Sequence, residues 1–316
     1  IGTLTTSIAP AIGPTYGGII SNSLDWRYIY IFLLPLVVIS LVLGLACLPR
    51  EGAKTPKKLA LRPVIALSIM FFAFISALSA EHLMTFALLF IVGLVGAFLF
   101  VRFNRKESLI DLGILQNHRF VALIFSLLVY QALLLGLSFV LPSFIQVSAG
   151  FSSSVAGLFM FPGALIGAVL APISGKVLDQ IGARKPITTG LILAALGLAL
   201  LFVFLPTKSL ALLLVAHIVL MLGLGISYSN LMTCSLSTLA TDQLSDGNAL
   251  VNTLQQFIGA VATAVVATTL SIFQGLNGFK VGTSHGTSII LALFFILIIV
   301  SLIVSFPNLK KIRANH

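Results

Sequence analysis

Only 8% of the 316 residues are Asp, Glu, Lys or Arg, while 59% are hydrophobic and the mean hydropathy is +1.15. A soluble domain carries roughly 25% charged residues, so this chain has too few to cover a surface that faces water. The net charge of +10 would suggest a nucleic-acid partner in a soluble protein, but basic residues gathered in the cytoplasmic loops of a membrane protein account for it, and no nucleic acid is expected to bind.

Ten apolar spans are expected, at about 3–20, 28–48, 63–80, 83–103, 120–142, 154–175, 187–206, 209–233, 249–273 and 287–306. Runs of about 20 residues cross a hydrocarbon core of about 30 Å as helices. The runs are continuous, not alternating, which disfavours a barrel. The fold class is therefore all-α, a polytopic membrane helical bundle. The chain starts inside an apolar run with Ile1 and shows no signal-peptide pattern, so the N-terminus reads as truncated. Cys47 and Cys234 fall in separate apolar runs and imply neither a disulfide nor a metal.

Sidedness follows from the loops. With the first span leaving the cytoplasm, fifteen Lys and Arg fall inside, and three, Arg27, Lys208 and Lys280, fall outside. The opposite orientation inverts that ratio against the positive-inside bias. An even number of spans then leaves the C-terminus in the cytoplasm.

Three spans carry polar groups at mid-depth. They are Tyr130 and Gln131 in 120–142, His217, Tyr228 and Asn230 in 209–233, and Asn252, Gln255 and Gln256 in 249–273. Such groups are costly against lipid and face the interior or a water-filled cavity, so these eight residues are the candidate substrate cavity. Gln255 and Gln256 are adjacent and point about 100° apart, so one of them faces the cavity squarely. His217 lies about 12 Å inside the outer end of its helix. It could relay a proton, but a neutral histidine hydrogen-bonded to a neighbouring helix is the preferred reading. Spans 187–206 and 287–306 are apolar all round and are expected at the lipid-facing periphery.

Two motifs suggest mechanism. In the first span, Pro10, Gly13, Pro14, Gly17 and Gly18 make a kinked helix with one flat face, because proline removes a backbone donor and glycine lets another helix come close. At the end of span 154–175 stands Gly175-Lys-Val-Leu-Asp179-Gln-Ile-Gly182-Ala-Arg184-Lys185. Gly175 allows close contact, Asp179 can cap a helix or pair with an arginine, Gly182 permits a turn, and Arg184 and Lys185 anchor the cytoplasmic face.

These motifs resemble those of the major facilitator superfamily. Gly13-Pro14-x-x-Gly17-Gly18 is similar to the antiporter motif on the fifth helix of its drug:proton antiporters, although Ala9 stands where another glycine is usual. Asp25-Trp26-Arg27 with Pro35 resembles the start of the sixth helix, and Gly175 to Lys185 resembles the loop motif of the second half. The connection Arg102 to Phe120 and the hairpin 63–103 resemble the fourteen-helix branch of the EmrB/QacA type.

The resemblance implies a major facilitator fold lacking its first four helices. Residues 1–48 would be the last two helices of the N-terminal bundle and 49–118 a cytoplasmic loop, an additional two-helix hairpin and a connecting loop. Residues 119–306 would be the C-terminal six-helix bundle and 307–316 a cytoplasmic tail. It implies alternating access between two bundles, with the antiporter motif at their interface and Asp179 and Arg184 acting as a cytoplasmic latch.

The expected function is proton-coupled efflux of hydrophobic or amphipathic small molecules across a bacterial cell membrane. The partners are substrate, protons and lipid, and no cofactor or metal is expected. The alternatives are a carrier for one defined solute, or a truncated chain inactive by itself. All eight acidic residues fall in loops or at helix ends, leaving no buried carboxylate. No set of converging catalytic groups appears, so no enzyme activity is expected.

Overall fold

The computed structural model of the chain describes residues 13, 15–21, 23–25, 27–47, 60–80 and 82–309. Pro10, Pro14, Trp26, the basic stretch 54–58 and the tail from residue 310 onward lie outside the described residues, as does most of span 3–20. Among the described residues every regular element is helical, and nine helices are long and apolar enough to cross a membrane.

They are α1 (Arg27–Cys47), α2 (Leu61–Leu78), α3 (Leu83–Asn104), α4 (His118–Ser143), α5 (Ser153–Ile181), α6 (Arg184–Phe204), α7 (Leu210–Leu236), α8 (Leu244–Asn277) and α9 (Phe279–Asn308). Residues 15–21 are also helical where described. α4 runs on through a wide π turn, Phe144–Ser148, just after Pro142.

Several helices overrun the expected spans at their polar ends. α5 reaches Ile181, so Lys176 and Asp179 sit on helix and not in a loop. α8 begins at Leu244 and takes Asp246 into its first turn, while α9 begins at Phe279 and takes in Lys280. Hydropathy ends where the bilayer core ends, but the backbone hydrogen-bond ladder continues into water until a residue breaks it. Gly182 and Gly278 are those breaks, with φ of 77° at each.

α4 is the central helix. Phe120, Leu123, Leu127, Leu133 and Leu137 are fully buried on it, and it packs chiefly against α7, α8 and α9. α6 and α9, expected at the periphery, bury one face in this core. On the other face they expose Ile192, Leu196 and Val203, and Ile289, Ile296 and Ile303. That apolar outer face suits lipid.

The hairpin α2–α3 docks on α8. Phe71 stacks on Phe257 with ring centroids 4.3 Å apart, and Thr268 donates to the Leu78 carbonyl at 2.8 Å. The connection from α3 to α4 is a built structure as well. The Asn104 side chain donates to the Ile110 carbonyl and accepts from the Leu109 and Ile110 amides. The Asp111 amide donates to the Asp246 carboxylate at 3.0 Å.

Asn117 caps α4 through its side-chain oxygen, which accepts from the Arg119 and Phe120 backbone amides, and its side-chain Nδ2 donates to the Thr238 carbonyl at 2.9 Å. Asn117→Ala should therefore destabilise the bundle by about 1–2 kcal/mol, at the upper end for a cap, read as a lowered melting temperature in detergent. An unchanged melting temperature would refute this double role.

Candidate functional site

Three of the eight candidate cavity residues meet, each from a different helix. The Tyr228 hydroxyl on α7 donates to Oε1 of Gln131 on α4 at 2.6 Å, and Nε2 of Gln255 on α8 donates to the Tyr228 oxygen at 2.7 Å. All three side chains are half-buried. Gly259, one turn beyond Gln255, brings α8 close to α4. A Cβ there would meet the Leu135 side chain and lie 3.6 Å from Nε2 of Gln131. The Gln131 amide nitrogen and the Gln255 amide oxygen take no part in these two bonds. The cluster thus offers a donor and an acceptor with no fixed charge, set among apolar helices.

The other five candidates stand elsewhere. Tyr130 lines no cavity: it is fully buried, with its hydroxyl 2.7 Å from the Ser227 hydroxyl. One residue along a helix turns the side chain by about 100°, which takes Tyr130 into the core and leaves Gln131 at the network. Asn230 is also buried and acts as a tie, its Nδ2 donating to the Ser174 carbonyl on α5 at 3.2 Å and to the Ile226 carbonyl at 2.9 Å.

Asn252 and Gln256 are exposed on α8, and Asn252 bonds to Asn248 of its own helix. The same 100° step puts Gln255 in the network and Gln256 outside it. Ser227, Ser174 and Gly259 were not marked in the sequence. Small residues in apolar helices give no signal until the facing helix is known.

His217 departs from the reading given to it. It is fully buried, but neither ring nitrogen has a hydrogen-bond partner among the described residues. The ring stacks on Phe159 of α5 with centroids 5.4 Å apart. Gly163, next to Pro162 in α5, makes room for it, since a Cβ there would lie 2.6 Å from Nδ1. Leaving a buried polar group unpaired costs about 1–3 kcal/mol. His217 does not join the Tyr228 network.

The described part of the glycine motif lies against α5. Thr15 Oγ1 donates to the Gly157 carbonyl at 3.0 Å, and Ser154 Oγ donates to the Gly18 carbonyl at 3.3 Å. A Cβ on Gly18 would lie 2.5 Å from the Ser153 oxygen and 3.1 Å from Gly157 Cα, whereas Gly13 and Gly17 face open space. One glycine of the three carries the contact.

At the opposite end of α5 stand the residues expected to act as a cytoplasmic latch. Asp179 is exposed and has no ion pair or hydrogen bond among the described residues. The Arg184 guanidinium lies over the Phe306 ring at 4.3 Å, held by cation–π attraction and not by a carboxylate. Gly175 meets nothing within 4 Å of a built Cβ, so it does not supply the close contact expected of it, and Gly182 makes the turn. A cleft of about 310 Å³ opens here between α5, α6 and α7, with Ser174 and Lys185 on its wall. None of the eight candidates lines it. Among the described residues no cluster of His, Cys, Asp and Glu could hold a metal.

The family model described as Major Facilitator Superfamily matches residues 1–264. A lincomycin resistance protein of Listeria monocytogenes is 30% identical over 86% of this chain and 59% of its own length. A multidrug resistance protein B homolog of Mycobacterium tuberculosis is 28% identical over 84% of this chain and 51% of its own. A bacterial homologue of the iron transporter ferroportin, solved in an inward-facing state, is 15% identical with a TM-score of 0.48, covering 79% of this chain and 59% of that one. The chain spans 59% of the length of the first of these relatives. With the family model matching most of its length, this multi-pass helical membrane chain belongs to the major facilitator superfamily of transporters.

Proposed function

We propose that the protein exports hydrophobic or amphipathic small molecules across a bacterial cell membrane, driven by proton influx, through alternating access of two helical bundles. The observation that carries this reading is the Gln131–Tyr228–Gln255 network. It is a set of neutral polar groups at mid-bilayer depth, shared by α4, α7 and α8. Polar groups kept at that depth mark a substrate or ion path. An uncharged set selects neutral polar substituents on otherwise apolar molecules, so a charged nutrient is a poor fit. The relatives named for lincomycin and multidrug resistance support the same substrate class. The work done is movement of an unchanged molecule, not chemistry on it.

Residues 119–306 form the C-terminal bundle in this scheme, with the hairpin in 49–118 attached to it and residues 1–48 belonging to the other bundle. The basic side chains Arg62, Arg102, Arg105, Lys106, Arg119, Lys176, Arg184 and Lys185 lie at one end of the described helices, while Arg27, Lys208 and Lys280 lie at the other. The basic end is cytoplasmic by the positive-inside bias, and the C-terminus, residues 307–316, is on that side. The contact of Gly18 with α5 then seals the outer side.

Tyr228→Phe in the full-length protein tests the site. It removes the hydroxyl that donates to Gln131 and accepts from Gln255. Interhelical hydrogen bonds in membranes are worth about 0.6–2 kcal/mol each, so losing two should lower apparent affinity for transported dyes by roughly ten-fold. The size of the loss should differ between dyes that carry polar groups and dyes that do not. Unchanged efflux of every dye at normal protein abundance would overturn the site.

A further inference from the structure

The glycine contact grips α5 at Gly157, two residues before Phe159 and six before Gly163, the two residues that cover His217. Along the helix that is about 3 and 9 Å. Between the grip and the next turns stands Pro162, which leaves a gap in the hydrogen-bond ladder of α5, as Pro172 does further on. A pull on the outer end of α5 therefore bends the helix close to the histidine. The ring itself belongs to α7, about 10 Å from its first residue, Leu210.

His217 is poised for such a change. Its imidazole has a donor and an acceptor, and no protein group pairs with either among the described residues. The ring stacks on Phe159 of α5 and lies against Gly163, with Met221 of its own helix beside that glycine. None of them carries a charge or titrates. The nearest charged residue in sequence is Lys208, nine positions earlier, and its ammonium is bonded to the Ser148 carbonyl at 3.2 Å. Among the described residues every Asp and Glu falls in a loop or in the first or last turn of a helix. Water reached through a displaced α5 is the partner left to it.

We infer that His217 is a proton-binding site whose access is controlled by α5. This rests on the export reading above and deepens it. With α5 closed on Gly18, the ring is covered and stays neutral, because an imidazolium in a dry apolar pocket has no counter-charge. When the outer end of α5 withdraws, water enters. The unprotonated ring nitrogen takes one proton from that water, a new N–H bond forms, and the ring gains one positive charge. Closure of α5 makes the charged form unfavourable again, and the proton passes to water on the cytoplasmic side, which alternating access opens as the outer side closes. Loading a proton when the outer side is open and shedding it when that side closes is the sequence that proton-driven export needs.

Everted membrane vesicles containing the full-length protein test this with a transported dye. Dye accumulation driven by a proton gradient is compared with dye counterflow in the absence of a gradient, for wild type, His217→Asn and His217→Gln. Both variants should keep counterflow, which exchanges one dye molecule for another and moves no net proton. Their gradient-driven accumulation should fall to the rate measured without a gradient. Accumulation at the wild-type rate in both variants overturns the assignment of His217.

If the variants also lose counterflow, the native histidine decides the matter. Diethyl pyrocarbonate labelling of His217, read by mass spectrometry, should be absent in the wild type at rest and present in Gly18→Leu, where α5 cannot close. Equal labelling in the two overturns the proposal. A wild type that shows counterflow but no gradient-driven accumulation removes the proton-coupled reading itself, which is distinct from failure at His217.

Discussion

Gly18→Leu should abolish gradient-driven export while the protein still reaches the membrane at normal abundance. The closed outer contact places backbone against backbone. A Cβ on Gly18 would sit 2.5 Å from the Ser153 carbonyl oxygen and 3.1 Å from Gly157 Cα. Neither is the tip of a flexible side chain, so the two helices must part. Overpacking of this kind costs about 1–3 kcal/mol, all of it charged to the closed state, because the side chain points into free space once the helices separate. That shifts a two-state balance by roughly five- to 150-fold towards the open form.

A cycle that must visit both states then stalls. Gly17→Leu is the control, since nothing lies within 4 Å of a Cβ there. The measurement is dye efflux, paired with labelling of a cysteine introduced near Ser153. Gly18→Leu should lose efflux and gain labelling, and Gly17→Leu should do much less of both. Wild-type efflux from Gly18→Leu would show that the contact does not close during transport.

That contrast between two adjacent glycines marks where reading the chain stops short. The helices were legible because lipid imposes a simple rule: about 20 apolar residues in a row. Nine of the expected spans correspond to α1–α9, with errors only at polar ends, as at Asp179 and Asp246, where helix outlasts hydropathy. Which of several polar residues meet was not legible in the same way. Tyr130 and Gln131 read alike as mid-depth polar groups, and the 100° step between them sends one to the core and the other to Tyr228. Asn230 read as cavity lining and is a buried tie to Ser174.

Glycines showed the same limit. Gly175 belongs to the loop motif, yet a Cβ there would meet nothing within 4 Å, while Gly163, outside both motifs, holds the space that His217 fills. Arg184, marked by its charge, also meets an aromatic face: the turn at Gly182 sets it at the start of α6, where its guanidinium lies over the Phe306 ring. Composition and period determine which segments become helices; partners across helices depend on rotation and register, and neither is written locally.

Gly223→Val should have the largest effect on stability, and it concerns a surface no motif marks. Here α6 and α7 pack with their backbones nearly touching. A Cβ on Gly223 would lie 2.5 Å from both the Ala194 amide nitrogen and the Gly190 carbonyl oxygen, and one on Gly197 would lie 2.5 Å from the Leu220 nitrogen. Without a hydrophobic drive between helices in lipid, this close fit of small residues supplies the attraction. It also positions Ser227 beside Tyr130 and hence Tyr228 beside Gln131.

A branched side chain at Gly223 pushes the pair apart along its whole length, forfeiting dispersion contacts beyond the local clash. The cost should be at least about 3 kcal/mol, the upper range for overpacking, and the protein should show a much lower melting temperature or fail to accumulate. Gly175→Val, placed in open space, should melt as the wild type does. Equal melting of the two variants would mean that the α6–α7 contact is looser than its geometry and that the network across α4, α7 and α8 is held by something else.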